Sequence, residues 1–133
     1  MIKTAGPLRP SFALKDEIMD TLPILLRSNS TQALLIGSGS EAAATAQVLV
    51  QAKVRVTVIS YDPSEPLKRL IDQAEVTHLE KDFEDSDLEE RDLVVVADLP
   101  EEETENIVAR VHRRHIPINV IEHPELSSFY FSD

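Results

Sequence analysis

Five short apolar runs, three of them followed by a stretch of helical spacing, govern what this chain can fold into. In order they read "ALLI", "EAAATAQVLVQA", "VRVTVIS", "PLKRLIDQA", "VTHLEK", "DLVVVAD", "EEETENIVARVHRRH" and "IPINVIE". Strands that alternate with helices predict a parallel sheet covered on both faces. Leu67, Leu70, Ile71 and Ala74 recur at helical spacing, as do Ile107, Val108 and Val111. Val94, Val95 and Val96 form the unbroken β-branched run of a central strand buried on both sides. Pro100 falls in the first turn of the last helix, where its missing N–H costs nothing, and Glu101, Glu102 and Glu103 suit the positive end of that helix. Short loops and right-handed crossovers make 3-2-1-4-5 the simplest strand order for such units. The expected fold is therefore a single doubly wound α/β domain.

The chain's 133 residues, 42% apolar and 28% charged, suffice for one hydrophobic core. Residues 1–18 carry two prolines and read as a loosely held extension with a short helix around "ALKDEIMD"; the organised domain is expected over 19–133. There is no cysteine, which rules out disulfides, thiolate nucleophiles and thiolate-held metals, so any redox chemistry needs a borrowed cofactor. A formal charge of −11 opposes nucleic acid as a partner, because phosphate recognition requires a lysine and arginine footprint. The acidic runs "LEKDFEDSDLEE" and "PEEETE" read as solvated surface. No apolar run spans a bilayer and "MIKTAGPLRP" lacks a signal-like apolar centre, so the expectation is a soluble cytoplasmic protein without a membrane partner.

The first strand runs into Gly37, Ser38, Gly39, Ser40, Glu41 and Ala42, a G-x-G-x-x-A turn opening a helix. Gly37 permits the tight turn, Gly39 allows backbone to approach a pyrophosphate, and Ala42 lets helix pack closely on strand. Amides around Ser40 and Glu41 would face the anion, against competition from the Glu41 carboxylate itself. An acid that holds the adenosine ribose belongs at the end of the second strand; Ser60 stands there, with Tyr61 and Asp62 next. With Asp62 available for the ribose hydroxyls and no arginine following to receive a 2′-phosphate, NAD is the expected cofactor.

Taken together, "MDTLPILL" from Met19, the glycine turn, "VTHLEKDFEDSDL" from Val76 and "IPINVIEHPELSSFYF" from Ile116 resemble the N-terminal domain of siroheme synthase. That family comprises precorrin-2 dehydrogenases, often doubling as sirohydrochlorin ferrochelatases. The resemblance implies a Rossmann domain whose NAD takes a hydride from the tetrapyrrole precorrin-2 to give sirohydrochlorin. It further implies a catalytic acid in an Asn-x-x-Asp arrangement, here Asn119 and Glu122, one methylene longer. Such an acid accepts the proton released as the hydride departs. Ala97 and Asp98 follow the fourth strand, at the edge where the cofactor would lie, and Asp98 also reads as the N-cap ahead of Pro100. Ala44 and Thr45 replace the family's basic pair, and the chain stops at Asp133 where family members continue into segments that enclose the substrate. A homodimer or a partner protein is then expected to supply that wall. Two rival readings stand beside the dehydrogenase: a non-catalytic module that binds a nucleotide or a partner, and a ferrochelatase.

Other residues receive plainer readings. Arg110, Arg113 and Arg114 complement the C-terminus of the last helix, with a patch for substrate carboxylates as the alternative. His112 and His115 lack a carboxylate at helical spacing that would complete a metal site, and none is expected. His123, beside Glu122, reads as an ordinary loop histidine ahead of Pro124, with a proton-accepting role as the alternative. Phe129, Tyr130 and Phe131 form an extended segment that packs on the domain or on a partner.

Overall fold

The computed structural model describes residues 20–73 and 76–132. The extension, the helix expected around "ALKDEIMD" up to residue 19, and Ala74 lie outside them. Five strands, β1 (Gln32–Ile36), β2 (Arg55–Ile59), β3 (Val76–Leu79), β4 (Leu93–Val96) and β5 (Ile118–Val120), form one sheet in the order β3-β2-β1-β4-β5. Every pairing is parallel, with Ala33 opposite Val56 on one side of β1 and opposite Leu93 on the other. Three helices, α1 (Ser40–Gln51), α2 (Glu65–Gln73) and α3 (Glu101–Arg113), cover it. This is the expected doubly wound, Rossmann-like sheet.

The two-residue period of the strands divides the core into two layers. Ala33, Leu35, Val56, Val58 and Val95 meet Ala42, Ala46 and Leu49 of α1 and Leu67 of α2 on one face. Leu34, Ile36, Val94 and Val96 meet Ile107, Val108 and Val111 of α3 on the other. Both faces of β1 and β4 are thus buried, which explains why their sequences are unbroken apolar runs. Because α1 follows β1 and α3 follows β4 in a parallel sheet, the N-termini of both helices lie at the C-terminal edge of the sheet. The chain reverses direction around β1, passing to β2 on one side and to β4 on the other, and that switch point is where such sheets carry their sites.

Two details depart from the sequence-based expectation. Pro100 is the N-cap of α3 rather than a residue of its first turn, and no side chain caps that end. The acidic run after β3 is also only partly solvated surface. Asp85–Leu88 form a 3₁₀ turn closed by a capping box between Glu84 and Asp87, and Lys81 Nζ donates to both Asp87 oxygens at 2.8 Å. Those contacts raise the Lys81 pKa, the hydrogen bond to Asp87 first among the causes.

The C-terminal segment packs on the domain. Phe129 and Phe131 meet edge to face, with centroids 5.3 Å apart, against the α1 layer. Tyr130 Oη donates to the Pro124 carbonyl at 3.1 Å.

Candidate functional site: the glycine turn at the switch point

The turn after β1 is set by close approach. A Cβ on Gly37, whose φ is +155°, would lie 2.2 Å from the Ala97 carbonyl oxygen at the end of β4. Backbone cannot yield to that contact as a flexible side chain could, so glycine is required there. Ser38 Oγ lies 2.8 Å from Ser60 Oγ, the Ser64 amide donates to the Ser38 carbonyl at 2.8 Å, and Ser64 Oγ donates to the Gly39 carbonyl at 3.3 Å. Serines from the loop after β2 therefore brace the turn from one side. Ser60, where an acid was expected, is buried and serves this brace.

From the other side comes Asp98. Its Oδ2 accepts from the Ala42 amide in the first turn of α1 at 2.9 Å. A Cβ on Gly39 would sit 2.8 Å from both the Asp98 Cγ and Oδ2. Asp98 thus caps α1, 56 residues away in sequence, and not α3, as its place before Pro100 suggested. Two features explain the choice. Asp98 has φ 59°, a left-handed conformation that turns its side chain toward the glycine turn. The N-cap of α1 is Gly39, which has no side chain to satisfy the first amides of the helix.

The remaining residues fall into two clefts along the C-terminal edge of the sheet. One, of about 110 Å³ at the ends of β4 and β5, is lined by Glu41, Ala97, Asp98, Thr104, Glu122 and His123, among others. Glu122 is exposed at its mouth, with φ 71°. His123 Nδ1 lies 3.0 Å from Glu125 Oε2. The Glu125 carboxyl titrates below its usual range, chiefly through a backbone hydrogen bond and next through His123. Asn119 does not line this cleft: it is buried, and its Nδ2 donates to the Phe129 carbonyl at 2.9 Å. The second cleft, of about 290 Å³ beyond β2, is lined by Tyr61, Asp62, Lys68, Ile71, Asp72, His78 and Glu80. The Tyr61 phenol is held above its ordinary range, by partial desolvation first and then by a hydrogen bond to Asp82.

The geometry brings Gly37, Ser38, Gly39, Ser40, Glu41, Ala42, Ala97, Asp98 and Glu122 together around the switch point. It places Tyr61 and Asp62 in the neighbouring cleft and withdraws Asn119 into the core. Arg110 is committed elsewhere, to Asp85 at 2.8 Å, Asn106 at 3.1 Å and the Phe83 ring at 4.6 Å. Arg113 and Arg114, at the C-terminus of α3, lie at the opposite end of the sheet from the glycine turn. Among the described residues, no three His, Cys, Asp or Glu side chains are grouped as metal ligands, and no helix is long and apolar enough to cross a membrane. Sequence reasoning missed the Ser60 and Ser64 braces and the place of Thr104 in the first cleft. Serines next to a tight turn carried the only signal for the braces.

The first amides of α1 open toward this turn, as they do where a helix N-terminus receives an anion, but the space beside each glycine is already filled, by the Ala97 carbonyl at Gly37 and by the Asp98 carboxylate at Gly39. The Asp98 carboxylate, as placed, takes the Ala42 amide that such an anion would use.

The sequence profile of the family described as "Putative NAD(P)-binding" matches residues 24–133. A siroheme synthase of Thioalkalivibrio sulfidiphilus is 33% identical over 111 residues, covering 84% of this chain and 23% of that protein. A siroheme synthase of Nitrosomonas europaea is 32% identical over 112 residues, covering 84% of this chain and 24% of that protein. The chain thus spans about a quarter of the length of these relatives. Among solved structures, "SirC, precorrin-2 dehydrogenase" superposes with a TM-score of 0.66 at 16% identity, over 84% of this chain and 54% of that one, a likeness of fold. The glycine turn, the strand order and the matched profile agree: this chain belongs to the NAD(P)-binding family and is a homologue of siroheme synthases.

Proposed function

We propose that the chain is the dinucleotide-binding domain of a precorrin-2 dehydrogenase-type oxidoreductase, with NAD as the hydride acceptor and sirohydrochlorin as the product. The observation that carries this reading is the Gly37-x-Gly39-x-x-Ala42 turn between β1 and α1 at the switch point, inside the span matched by the NAD(P)-binding family. The names of the relatives, siroheme synthase and precorrin-2 dehydrogenase, support the substrate class. When bound, the nicotinamide supplies the hydride acceptor, and the chain's own residues do the rest. The amides of the first α1 turn would hold the diphosphate, with Asp98 turned aside from the Ala42 amide it now takes. Asp62 would hold the ribose hydroxyls from the second cleft, where Asp62, Asp72 and Glu80 outnumber Lys68, a balance that disfavours a further phosphate and supports NAD over NADP. Glu122, exposed at the mouth of the first cleft, accepts the proton released from the tetrapyrrole carbon framework. Asn119 anchors the segment that carries Glu122 by holding Phe129.

Calorimetry with NAD and NADP tests the binding half of this reading: NAD is expected to bind more tightly than NADP, and no binding of either, by the chain or by its Asp98→Gly variant, removes it. For the chemical half, Glu122→Gln is expected to abolish precorrin-2 turnover while changing NAD affinity less than about threefold, because a base serves the reaction rather than docking. Equal loss of both properties places the base elsewhere.

A second reading, a module that has kept the fold without the reaction, is favoured by one specific observation. The Asp98 carboxylate occupies the amide a diphosphate needs, beside a cleft of about 110 Å³. Small-molecule sites ordinarily offer roughly 300–1,000 Å³.

A further inference from the structure

Asp98 sets a condition on the dinucleotide reading above, and the inference drawn from it rests on that reading. We infer that the Asp98 carboxylate is an internal competitor for the diphosphate position, so that the affinity of this chain for dinucleotides is set by the cost of displacing its own side chain. Three observations combine. The Asp98 Oδ2 to Ala42 amide bond, at 2.9 Å, is the contact an anion at the α1 N-terminus would make. The space over Gly39 that a diphosphate would need is filled by the Asp98 Cγ and Oδ2, which stand 2.8 Å from where a Cβ would be. The turn itself is braced by the Ser38–Ser60 contact of 2.8 Å and by the Ser64 amide on the Ser38 carbonyl, also 2.8 Å, so it is not the part that yields.

Asp98 is the part that yields. It is exposed and held by one side-chain bond among the described residues, so its side chain is free to rotate away. Rotation does not remove its charge from the region. Glu41 and Glu122 line the same cleft, so a displaced Asp98 and an arriving diphosphate face each other as like charges, with two further carboxylates nearby. Displacement therefore carries both a lost helix cap and a repulsion, and both weaken binding.

The test is titration calorimetry of the full chain with NAD, comparing the parent with Asp98→Gly, Asp98→Asn and, as a charge control at the same end of the sheet, Glu102→Gln. Glycine and asparagine both tolerate the left-handed backbone at this position. Asp98→Gly removes competitor and charge and is expected to bind NAD at least about tenfold more tightly than the parent. Asp98→Asn keeps an oxygen for the Ala42 amide but loses the charge, and is expected to fall between them. Glu102→Gln is expected to shift affinity less than about twofold. If Asp98→Gly does not fold, Asp98→Asn alone decides: tighter binding supports the competition, and equal or weaker binding overturns it. Equal or weaker binding by a folded Asp98→Gly overturns the inference while leaving the dinucleotide reading in place. A gain in Glu102→Gln as large as that in Asp98→Gly also overturns it, since general charge would then account for the effect. No binding by the parent or any variant sinks the dinucleotide reading and this inference together.

Discussion

At the residue scale the two glycines of the turn face different neighbours, and their substitutions separate accordingly. Gly37→Ala drives a methyl against the Ala97 carbonyl oxygen, which is fixed by the β4 backbone. Overpacking against an unyielding neighbour costs about 1–3 kcal/mol, and a loss of about 3 kcal/mol is expected in urea unfolding. Gly39→Ala instead meets the Asp98 side chain, which can rotate. Its cost is expected to be about 1–2 kcal/mol in the parent and to fall by at least about 1 kcal/mol in an Asp98→Gly background, a coupling measured by a double-mutant cycle. Equal costs in both backgrounds would mean that Asp98 does not rest against Gly39. Asp98 itself combines a favourable cap, worth about 1 kcal/mol, with a left-handed backbone that costs a non-glycine residue a comparable amount.

At the element scale the sheet ends at β5, an edge strand covered without a further strand. Ser128 Oγ accepts from the Ile118 amide and Ser127 Oγ from the Val120 amide, each at 2.9 Å, while Asn119 reaches the Phe129 carbonyl. Two hydroxyls thus satisfy the outward amides of β5 and block its use as a template for another chain. The double substitution Ser127→Ala, Ser128→Ala is expected to lower stability by about 2 kcal/mol and to raise light scattering on heating, because two buried donors lose their partners. This cover was illegible in the sequence, where "ELSSFYF" shows only that an extended segment is present. The strands themselves were legible, since a parallel strand buried on both faces must be an apolar run, as in "LVVV" and "ALLI". Strand order followed from short right-handed crossovers. The role of Asp98 was not legible, because a capping rule looks two residues ahead to Pro100 whereas the amide it satisfies is 56 residues back. The same limit hid the partner of Asn119: the resemblance implied that it acts beside Glu122, whereas its amide reaches the Phe129 carbonyl ten residues on, a contact no local pattern records. The glycine turn was readable because its constraint, a missing side chain, is written in the residues themselves.

At the scale of the whole molecule, the fate of an apolar run depends on what the fold brings against it. Leu35, in "ALLI", is fully buried, whereas Leu25, in "LPILL", is 90% exposed, with Leu22, Ile24 and Leu26 also open to solvent. Composition hardly distinguishes the two runs; the sheet does, by enclosing Leu35 in β1 while Leu25 belongs to no strand. Acid titration is likewise a global property here. Arg110 holds the Asp85 carboxyl below its ordinary 3.8, the hydrogen bond being the main cause, and so ties the 3₁₀ turn to α3. A depressed carboxyl stabilises the fold above its unfolded pKa, and that contribution is lost as pH falls from about 3.8 through the lower folded value. Arg110→Gln is therefore expected to lower the melting temperature at pH 7 and to narrow its difference from the parent as pH drops below that window, in parallel calorimetric scans. A difference that stays constant with pH would mean that Arg110 acts through Phe83 and Asn106 alone. For the apolar runs, Leu35→Ala is expected to cost about 3 kcal/mol through lost burial and an unfilled cavity. Leu25→Asp is expected to change unfolding free energy by less than about 0.5 kcal/mol, because a side chain that open gives up almost no contact. Sedimentation velocity across a concentration series completes the comparison. The exposed leucines favour self-association, so the Leu25→Asp chain is expected to sediment more slowly than the parent at high concentration, and identical profiles would show that this run does not hold copies of the chain together.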